Sequence, residues 1–198
     1  MSKVLAGITT SVDGYITGPD DGPGNGLGTD GERLHYWVFG GPWKYAEERG
    51  EPTGEDAAWL SEMSSRAGAV VGGRWTYEAA GHWGGENPWG LPFFIVTHRP
   101  EEEPEGKGFT FVAGVPEAVE KAKQAAGAKD VNVMGGADVI RQALDAGLID
   151  ELTIVIAPVV LGGGKRLFKG FSKSLDLEHL GVRQSPYATF ISYAVKRP

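Results

Sequence analysis

Residues 69–78 read AVVGGRWTYE, and this stretch decides the fold class. Its first three residues are a short apolar run that predicts a buried strand. The segment from Gly72 to Glu78 follows at once, and it predicts a helix that opens at the two glycines. A strand that passes through glycines directly into a helix is typical of α/β proteins, in which ligands bind at the carboxyl ends of the strands.

The rest of the chain repeats this alternation. Further strands are predicted at residues 3–10, 93–97, 109–112, 131–134 and 152–157, and helices at 54–66, 117–126 and 137–146. Thr53 is the predicted N-cap of the first of these helices. Residues 175–184 and 188–196 predict a final hairpin. We therefore expect an α/β fold in one domain over residues 1–198, with a mixed, mostly parallel central sheet flanked by helices and an antiparallel C-terminal hairpin.

The composition excludes several classes of protein. With 41% hydrophobic and 23% charged residues the chain is in the globular range. It has no cysteine, which excludes thiol catalysis and disulfides, and its four histidines lack the spacing of a metal site. A net charge of −7 disfavours a nucleic-acid partner. No apolar run approaches the roughly 20 residues of a membrane span and no signal peptide is evident, so we expect a cytoplasmic protein without a membrane partner.

Three predicted strand ends carry residues suited to phosphate binding. They are the segments Gly72-Gly73-Arg74-Trp75-Thr76, Thr97-His98-Arg99 and Gly135-Gly136-Ala137-Asp138. Glycines let backbone N–H groups approach a phosphate, and a guanidinium group can bind one through two hydrogen bonds. Each segment alone is also open to a simpler interpretation as a tight turn or a solvated charge. Neither the dinucleotide-binding G-x-G-x-x-G fingerprint nor a P-loop is present.

Four segments carry a resemblance to a known family. They are SVDGYI at 11–16, GRWTYE at 73–78, VMGG at 133–136 and the stretch at 150–162. On these segments the chain resembles the dihydrofolate reductase superfamily and, within it, stand-alone proteins similar to the reductase domain of the bifunctional riboflavin-biosynthesis deaminase-reductase. The resemblance covers nearly the whole chain. It implies a dihydrofolate reductase-like fold with NADPH bound across the sheet, and a chain without the deaminase domain.

Twelve residues match family positions around the cofactor. The resemblance assigns the phosphates to Gly73, Arg74 and Thr76, the adenosine and its 2′-phosphate to Thr97, His98 and Arg99, the pyrophosphate to Gly135, Gly136, Ala137 and Asp138, and the nicotinamide carboxamide to the backbone of Thr9 and Ile16. An arginine beside the 2′-phosphate favours NADPH over NADH on electrostatic grounds.

Asp56 is the predicted catalytic and substrate-binding acid, since its helix resembles the one that carries the ring-binding acid of dihydrofolate reductases. Glu55 competes for this role at a shift of one residue. The simpler alternative is that Asp56 is an ordinary acidic residue in a first helical turn. Tyr15 and Trp59 are predicted walls of the substrate pocket.

The function implied by the resemblance is an NADPH-dependent reductase. It would transfer hydride to a C=N bond of a small pterin- or pyrimidine-like heterocycle. Two alternatives stay open, a non-catalytic module that binds NADPH or a flavin, and a reductase that modifies xenobiotics. By analogy with similar folds we also expect a homodimer joined at the sheet edge or the last strands.

Overall fold

The computed structural model describes residues 2–45, 47–100 and 108–196, so the predicted domain limits at 1 and 198 lie outside it. The strands are β1 Val4–Ser11, β2 Ala67–Gly73, β3 Phe93–Val96, β4 Phe109–Val112, β5 Asp130–Gly135, β6 Glu151–Ala157, β7 Leu177–Gln184 and β8 Thr189–Val195. The helices are α1 Gly54–Arg66, α2 Arg74–Ala79, α3 Val115–Ala126 and α4 Ala137–Asp145. Short 3-10 turns cover Gly31–His35 and Gly81–Gly85.

The eight strands form one sheet in the order β4-β3-β2-β5-β1-β6-β8-β7. All neighbours from β4 to β6 are parallel, and β8 and β7 continue the sheet antiparallel. Parallel neighbours need crossover connections, which α3 and α4 supply between strands, whereas β7 and β8 need only a short turn. The predicted mostly parallel sheet with an antiparallel C-terminal hairpin is confirmed.

The opening stretch of sequence needs one correction. Both glycines of the pair belong to β2 rather than to the helix, because Gly72 and Gly73 pair with Ile95 and Val96 of β3. Helix α2 therefore begins at Arg74. The prediction that Thr53 is the N-cap of α1 is confirmed, although its side chain makes no capping hydrogen bond and its carbonyl accepts one from the N–H of Ala57 at 3.4 Å.

Most of the apolar core lies on one face of the sheet. Alternate residues of β1, β2 and β5 point to this face and meet the apolar sides of α3 and α4. Val71, Val133 and Ile140, each with no exposed surface, represent this layer. Its fully packed side chains supply the larger part of the apolar burial that stabilises the fold.

Helix α1 lies on the opposite face and is loosely seated. Among its 13 residues only Asp56 is buried. Trp59, Leu60 and Met63 point toward the sheet but remain half-exposed. The tip of the Trp59 ring reaches the sheet at Gly7, where a Cβ would lie 3.6 Å from it. A gap therefore remains between α1 and the sheet over most of the helix length.

Candidate functional site

One cleft of about 1650 Å³ dominates the part of the chain that the structure describes. It begins at the carboxyl ends of β1, β2, β3 and β5 and continues beneath α1. Cofactor-sized ligands fit in such a volume, and the carboxyl edge of a parallel sheet is where α/β proteins bind them. The three glycine- and arginine-bearing strand ends identified in the sequence lie at this same edge.

Two glycine turns face each other at the mouth of the cleft. One is Gly73, which precedes α2, and the other is Gly136, which precedes α4. A Cβ on Gly73 would lie 3.0 Å from Val139 Cγ2 and 3.7 Å from the nitrogen of Gly136. A Cβ on Gly136 would lie 3.2 Å from the hydroxyl of Thr76. Side chains at either position would fill the space between the turns, so both glycines keep a cradle open.

Backbone amides are available in this cradle. Gly136 is the N-cap residue of α4 and provides no side-chain cap, so the first amides of the nine-residue helix point outward without one. Gly135, with φ of 114°, has a conformation that residues with side chains rarely adopt, and a cis peptide bond joins it to Gly136. A helix N-terminus of this kind attracts anions. The turn thus has the properties that a pyrophosphate requires.

Cations and hydroxyls surround the cradle. Arg74 lines the cleft and its Nε donates to Glu78 at 2.8 Å, which fixes the guanidinium group on the surface of α2. Beyond β3, buried Thr97 accepts a hydrogen bond from the backbone N–H of Arg99 at 3.1 Å, while His98 and Arg99 are exposed at the rim. Two guanidinium groups thus lie at this edge of the cleft, that of Arg74, paired with Glu78, and that of Arg99.

A long loop is fastened across the same edge. The Asp21 carboxylate accepts hydrogen bonds from the indole N–H of Trp75 at 2.8 Å and from Lys165 at 2.6 Å. The Lys165 ammonium also lies 4.3 Å from the centroid of the Trp75 ring. The loop at residues 17–29 is thereby tied to α2 and to the glycine-rich segment 161–165.

A second tie joins the start of this loop to the same segment. Asp13 accepts hydrogen bonds from the backbone N–H groups of Leu161 and Gly162 at 3.1 and 2.8 Å. A hydrogen bond from Ser11, together with these two amides, lowers the pKa of Asp13 to about 2. The carboxylate therefore stays ionised through the physiological range and holds the two segments together.

An aromatic wall stands where the cleft turns beneath α1. Trp59 stacks on Phe190 at 5.2 Å between ring centroids, and Trp37 meets both rings edge-on at 5.4 and 5.2 Å. The indole N–H of Trp37 donates to the hydroxyl of Thr9 at 3.0 Å. Flat rings held in this way provide an apolar surface for a planar ligand.

A neutral histidine lies next to this wall. Burial, and then the nearby Arg49 guanidinium, lower the pKa of His35 to about 4. The Arg49 side chain stacks on Phe39 and Trp43, 4.8 and 4.9 Å from their ring centroids. Near neutral pH His35 therefore carries no charge into the cleft.

The cleft brings together most of the residues singled out from sequence. Eleven of the twelve predicted cofactor residues line it, namely Thr9, Ile16, Gly73, Arg74, Thr76, Thr97, His98, Arg99, Gly136, Ala137 and Asp138. Gly135 lies directly behind the lining, with its carbonyl 3.8 Å from a Cβ built on Gly73. Trp59, a predicted substrate residue, also lines the cleft.

Two predicted substrate residues lie elsewhere. Tyr15 is outside the cleft lining and contacts Arg166, whose guanidinium carbon is 4.4 Å from the ring centroid and whose Nη2 donates to the hydroxyl at 3.1 Å. Asp56 is 3% exposed and faces Ser185 in the turn between β7 and β8, also outside the lining. These positions do not support direct substrate contacts, so both roles stay predictions.

Asp56 is nevertheless not an ordinary solvated helix residue. Burial raises the pKa of its carboxyl group, an effect that the Ser185 hydroxyl opposes. Its Oδ1 atom is buried without a hydrogen-bond partner among the described residues. Glu55, the competing candidate, is exposed. The structure thus favours Asp56 over Glu55 as the unusual acid of this helix.

Sequence reasoning missed a set of polar residues on the cleft floor. Asn132, Thr153 and Ser192 line the cleft beneath α1. A signal was present for Asn132, which alternates with the core residues Val131 and Val133 and so points away from them. The serine and threonine gave no such signal, because hydroxyl residues are common on both faces of strands.

Comparison with known proteins agrees with this geometry. The profile of the RibD C-terminal domain family matches residues 2–189. The chain belongs to the RibD C-terminal domain family. Among curated proteins it is 34% identical over 88 residues to the uncharacterized protein YyaP of Bacillus subtilis strain 168, a match that spans 44% of this chain and 46% of that protein.

Solved structures share the fold of this RibD C-terminal domain protein. A candidate riboflavin biosynthesis protein from Shewanella sp. PV-4 superposes with a TM-score of 0.72 at 23% identity, covering 98% of this chain and 99% of that one. A pyrimidine reductase-like protein from Corynebacterium diphtheriae superposes with a TM-score of 0.63 at 17% identity, covering 100% of this chain and 93% of that one. Dihydrofolate reductase from Enterococcus faecalis, complexed with NADP(H), superposes with a TM-score of 0.62 at 18% identity, covering 98% of this chain and 97% of that one. The fold is therefore dihydrofolate reductase-like, as the resemblance implied.

The described residues contain no helix long and apolar enough to cross a membrane. Within the same ranges, no three His, Asp or Glu side chains are grouped as a metal ion would require.

Proposed function

We propose that this protein is an NADPH-dependent reductase that transfers hydride to a C=N bond of a small pyrimidine- or pterin-like heterocycle. The observation that carries the proposal is the convergence of two glycine turns, at Gly73 and Gly136, on one cradle. The names of the related proteins support the same chemistry, since one is pyrimidine reductase-like and another is a dihydrofolate reductase complexed with NADP(H). A cytoplasmic location is part of the proposal.

The cradle fits a phosphorylated dinucleotide. Amides at the start of α4 would hold the pyrophosphate, with the Thr76 hydroxyl on the opposite side. Arg99 and His98 would reach the adenosine end, where a 2′-phosphate distinguishes NADPH from NADH. When bound, the cofactor supplies the hydride and its nicotinamide ring provides the donor face.

The protein's own contribution is position and exclusion of water. The Trp37, Trp59 and Phe190 rings would hold a planar substrate against the nicotinamide end of the cleft. The Trp37 indole holds the Thr9 side chain through a hydrogen bond, and the Thr9 backbone would face the nicotinamide carboxamide. The acid role that the resemblance implies for Asp56 stays part of the proposal, although its carboxyl group lies outside the cleft lining; burial raises the pKa of that group and so favours a form that can donate a proton.

Calorimetric titration with NADPH and NADH, followed by a turnover assay, tests the proposal. We expect NADPH to bind more tightly than NADH, and reduced-nicotinamide absorbance to fall when dihydropterins, pterins or aminopyrimidinediones are added. NADPH binding without turnover on any heterocycle would instead indicate a binding module. Turnover on xenobiotics alone would indicate a reductase that modifies xenobiotics. Absence of NADPH affinity would overturn the proposal.

The proposal extends to a homodimer formed through β7. Every residue of this edge strand is exposed, including Leu180 and Val182 at 52% and 60%. An exposed edge with apolar side chains invites pairing with another strand. Antiparallel pairing of two copies about residues 180 and 181 would place Glu178 opposite Arg183 twice, which is electrostatically self-complementary.

A further inference from the structure

Arg166 carries a guanidinium group that is held in place without a carboxylate partner. It lies in the glycine-rich stretch after β6 and lines the cleft. Its guanidinium carbon is 4.4 Å from the centroid of the Tyr15 ring, and its Nη2 donates to the Tyr15 hydroxyl at 3.1 Å. No carboxylate within residues 2–45, 47–100 and 108–196 pairs with it. Most of its five N–H donors are therefore available to a ligand.

The backbone around Arg166 is built into the fold. Arg166 and Tyr15 form an antiparallel bridge. Beside this bridge, the N–H of Ile16 donates to the carbonyl of Lys165 at 2.8 Å. On the other side Leu167 is 2% exposed and packs in the main apolar core. Because the residues on both sides are fixed, the Arg166 side chain starts from a defined position.

Arg141 fastens this stretch to the start of α4. Its Nη1 donates to the carbonyls of Arg166 and Leu167 at 3.3 and 2.9 Å. Its Nη2 donates to the carboxylate of Asp138 at 3.0 Å. Asp138 lies in the first turn of α4, two residues after Gly136. Arg166 is therefore anchored beside the helix end whose first amides point outward.

The carboxylates close to this anchor have other partners. Asp138 is bound by two side chains of its own helix, and Asp21 is bound by Lys165. Lys169, a further cation of the same stretch, is exposed and also lines the cleft. An anion at this point of the cleft would meet, at Arg166, a guanidinium group that no carboxylate of the described ranges neutralises.

We propose that Arg166 binds the nicotinamide-side phosphate of the cofactor, and that Tyr15 is a positioning residue that holds the guanidinium group in place. This rests on the proposed function, in which the amides of α4 hold the pyrophosphate, and deepens it by adding a cation from the stretch after β6. The nicotinamide side is favoured because Ile16, whose backbone would face the carboxamide, is hydrogen-bonded to the residue before Arg166. This role also accounts for a Tyr15 ring outside the cleft lining.

Three ligands locate the contact. They are NADPH, NADH and adenosine 2′,5′-bisphosphate, which keeps the adenosine end and lacks the nicotinamide-side phosphate. Each is titrated calorimetrically into the ligand-free protein. In Arg166→Gln we expect the affinities for NADPH and NADH to fall equally, by roughly tenfold, because both carry that phosphate. The loss should grow at lower salt, since the exposed charge is then screened less, and affinity for the bisphosphate should not change.

Variants of Tyr15 test the positioning role. Tyr15→Leu removes both the ring and the hydroxyl that hold the guanidinium group, so we expect roughly threefold weaker binding of both dinucleotides. Tyr15→Phe keeps the stacked ring and should recover part of that loss. In the double variant, Tyr15→Leu should add nothing to the effect of Arg166→Gln, because it acts through that residue.

Two further variants serve as controls. Arg33→Gln removes an exposed charge outside the cleft and should leave all three affinities unchanged. Arg166→Lys keeps the positive charge and should recover part of the dinucleotide affinity, which tests the same contact if Arg166→Gln is poorly folded. Thermal unfolding measured for every variant would show that the fold is intact.

The outcomes separate this inference from the reductase proposal. Wild-type affinity of Arg166→Gln for both dinucleotides, a loss for NADPH alone, or an equal loss for the bisphosphate would overturn the assignment of Arg166 and leave the reductase proposal standing. Additive losses in the double variant would overturn the positioning role of Tyr15. Failure of the wild-type protein to bind either dinucleotide would overturn both proposals.

Discussion

The Asp21 carboxylate accepts a hydrogen bond of 2.8 Å from the indole N–H of Trp75, 54 residues further along the chain. With Lys165 on the same carboxylate oxygen, this contact fastens the 17–29 loop to α2 and to the segment 161–165. Exposed ion pairs contribute little to stability, but the Asp21 side chain is only 9% exposed. The fastening should therefore govern local opening of the loop.

Replacement of Asp21 tests this directly. Asp21→Asn keeps the shape and removes the charge, so we expect faster amide hydrogen exchange in residues 17–29, with a change in global stability of about 1 kcal/mol or less. Asp20→Asn, at an exposed neighbour, is the control. Unaltered exchange in the Asp21 variant would mean that the loop is held by its backbone contacts alone.

Gly136→Ala should close the phosphate cradle. The added methyl would lie 3.2 Å from the Thr76 hydroxyl, in the space assigned to the pyrophosphate. We expect NADPH affinity to fall by tenfold or more in calorimetry. Gly114→Ala is matched, since Gly114 is likewise the N-cap of a helix and a Cβ there would meet only Pro116 Cδ at 3.9 Å. Wild-type affinity in the Gly136 variant would place the dinucleotide elsewhere.

Arg99→Gln should change cofactor preference. Loss of a charge-assisted hydrogen bond to the 2′-phosphate typically costs 1.5 to 3 kcal/mol, so NADPH affinity should drop by roughly ten- to a hundredfold while NADH affinity stays the same. The exposed Arg33, outside the cleft, provides the control as Arg33→Gln. An equal loss for both cofactors would show that Arg99 acts on the fold rather than on the phosphate.

Asp56→Asn distinguishes a catalytic acid from a buried structural one. Burial raises the pKa of Asp56 in the folded state above its value in the unfolded chain. The protonated carboxyl group therefore favours the folded state at low pH, and this stabilisation is lost as pH rises through the folded-state pKa. The variant should therefore gain stability relative to the wild type near neutral pH, with the difference vanishing as pH falls to the unfolded-state value.

Activity supplies the second readout for this variant. If Asp56 protonates or binds the substrate, turnover should fall by a hundredfold or more despite the added stability. Glu55→Gln, one residue earlier and exposed, is the control. Retained turnover together with the stability gain would remove Asp56 from the mechanism.

Leu180→Glu should dissociate the proposed dimer. A charge on the exposed β7 edge would disrupt pairing of two copies, so light scattering should report the dimer mass for the wild type and the monomer mass for the variant. Val160→Glu alters an apolar side chain of similar exposure, 65%, away from that edge and should leave the dimer intact. A monomer mass for the wild-type protein would contradict the proposed dimer.

The sequence was informative where local chemistry decides structure. Apolar runs and glycine pairs located the strands and the edge of the sheet at which the cleft opens, since the glycines at 73 and 136 are required by close approach of two turns. It could not reveal that Asp56 turns toward Ser185, because that depends on how the β7–β8 hairpin meets α1. Nor could it show Trp59 reaching Gly7, since residues 52 positions apart meet only through the tertiary fold.

The unequal packing of the two faces of the sheet bears on how this protein can diverge. Among the described residues, the α3–α4 side holds 20 buried apolar residues in one cluster, whereas the cluster against which α1 packs holds four. Substitutions beneath α1 should therefore lower the free energy of unfolding only slightly, and they can alter ligand preference without unfolding the chain. One side of the molecule secures the scaffold, and the other is free to acquire new substrates.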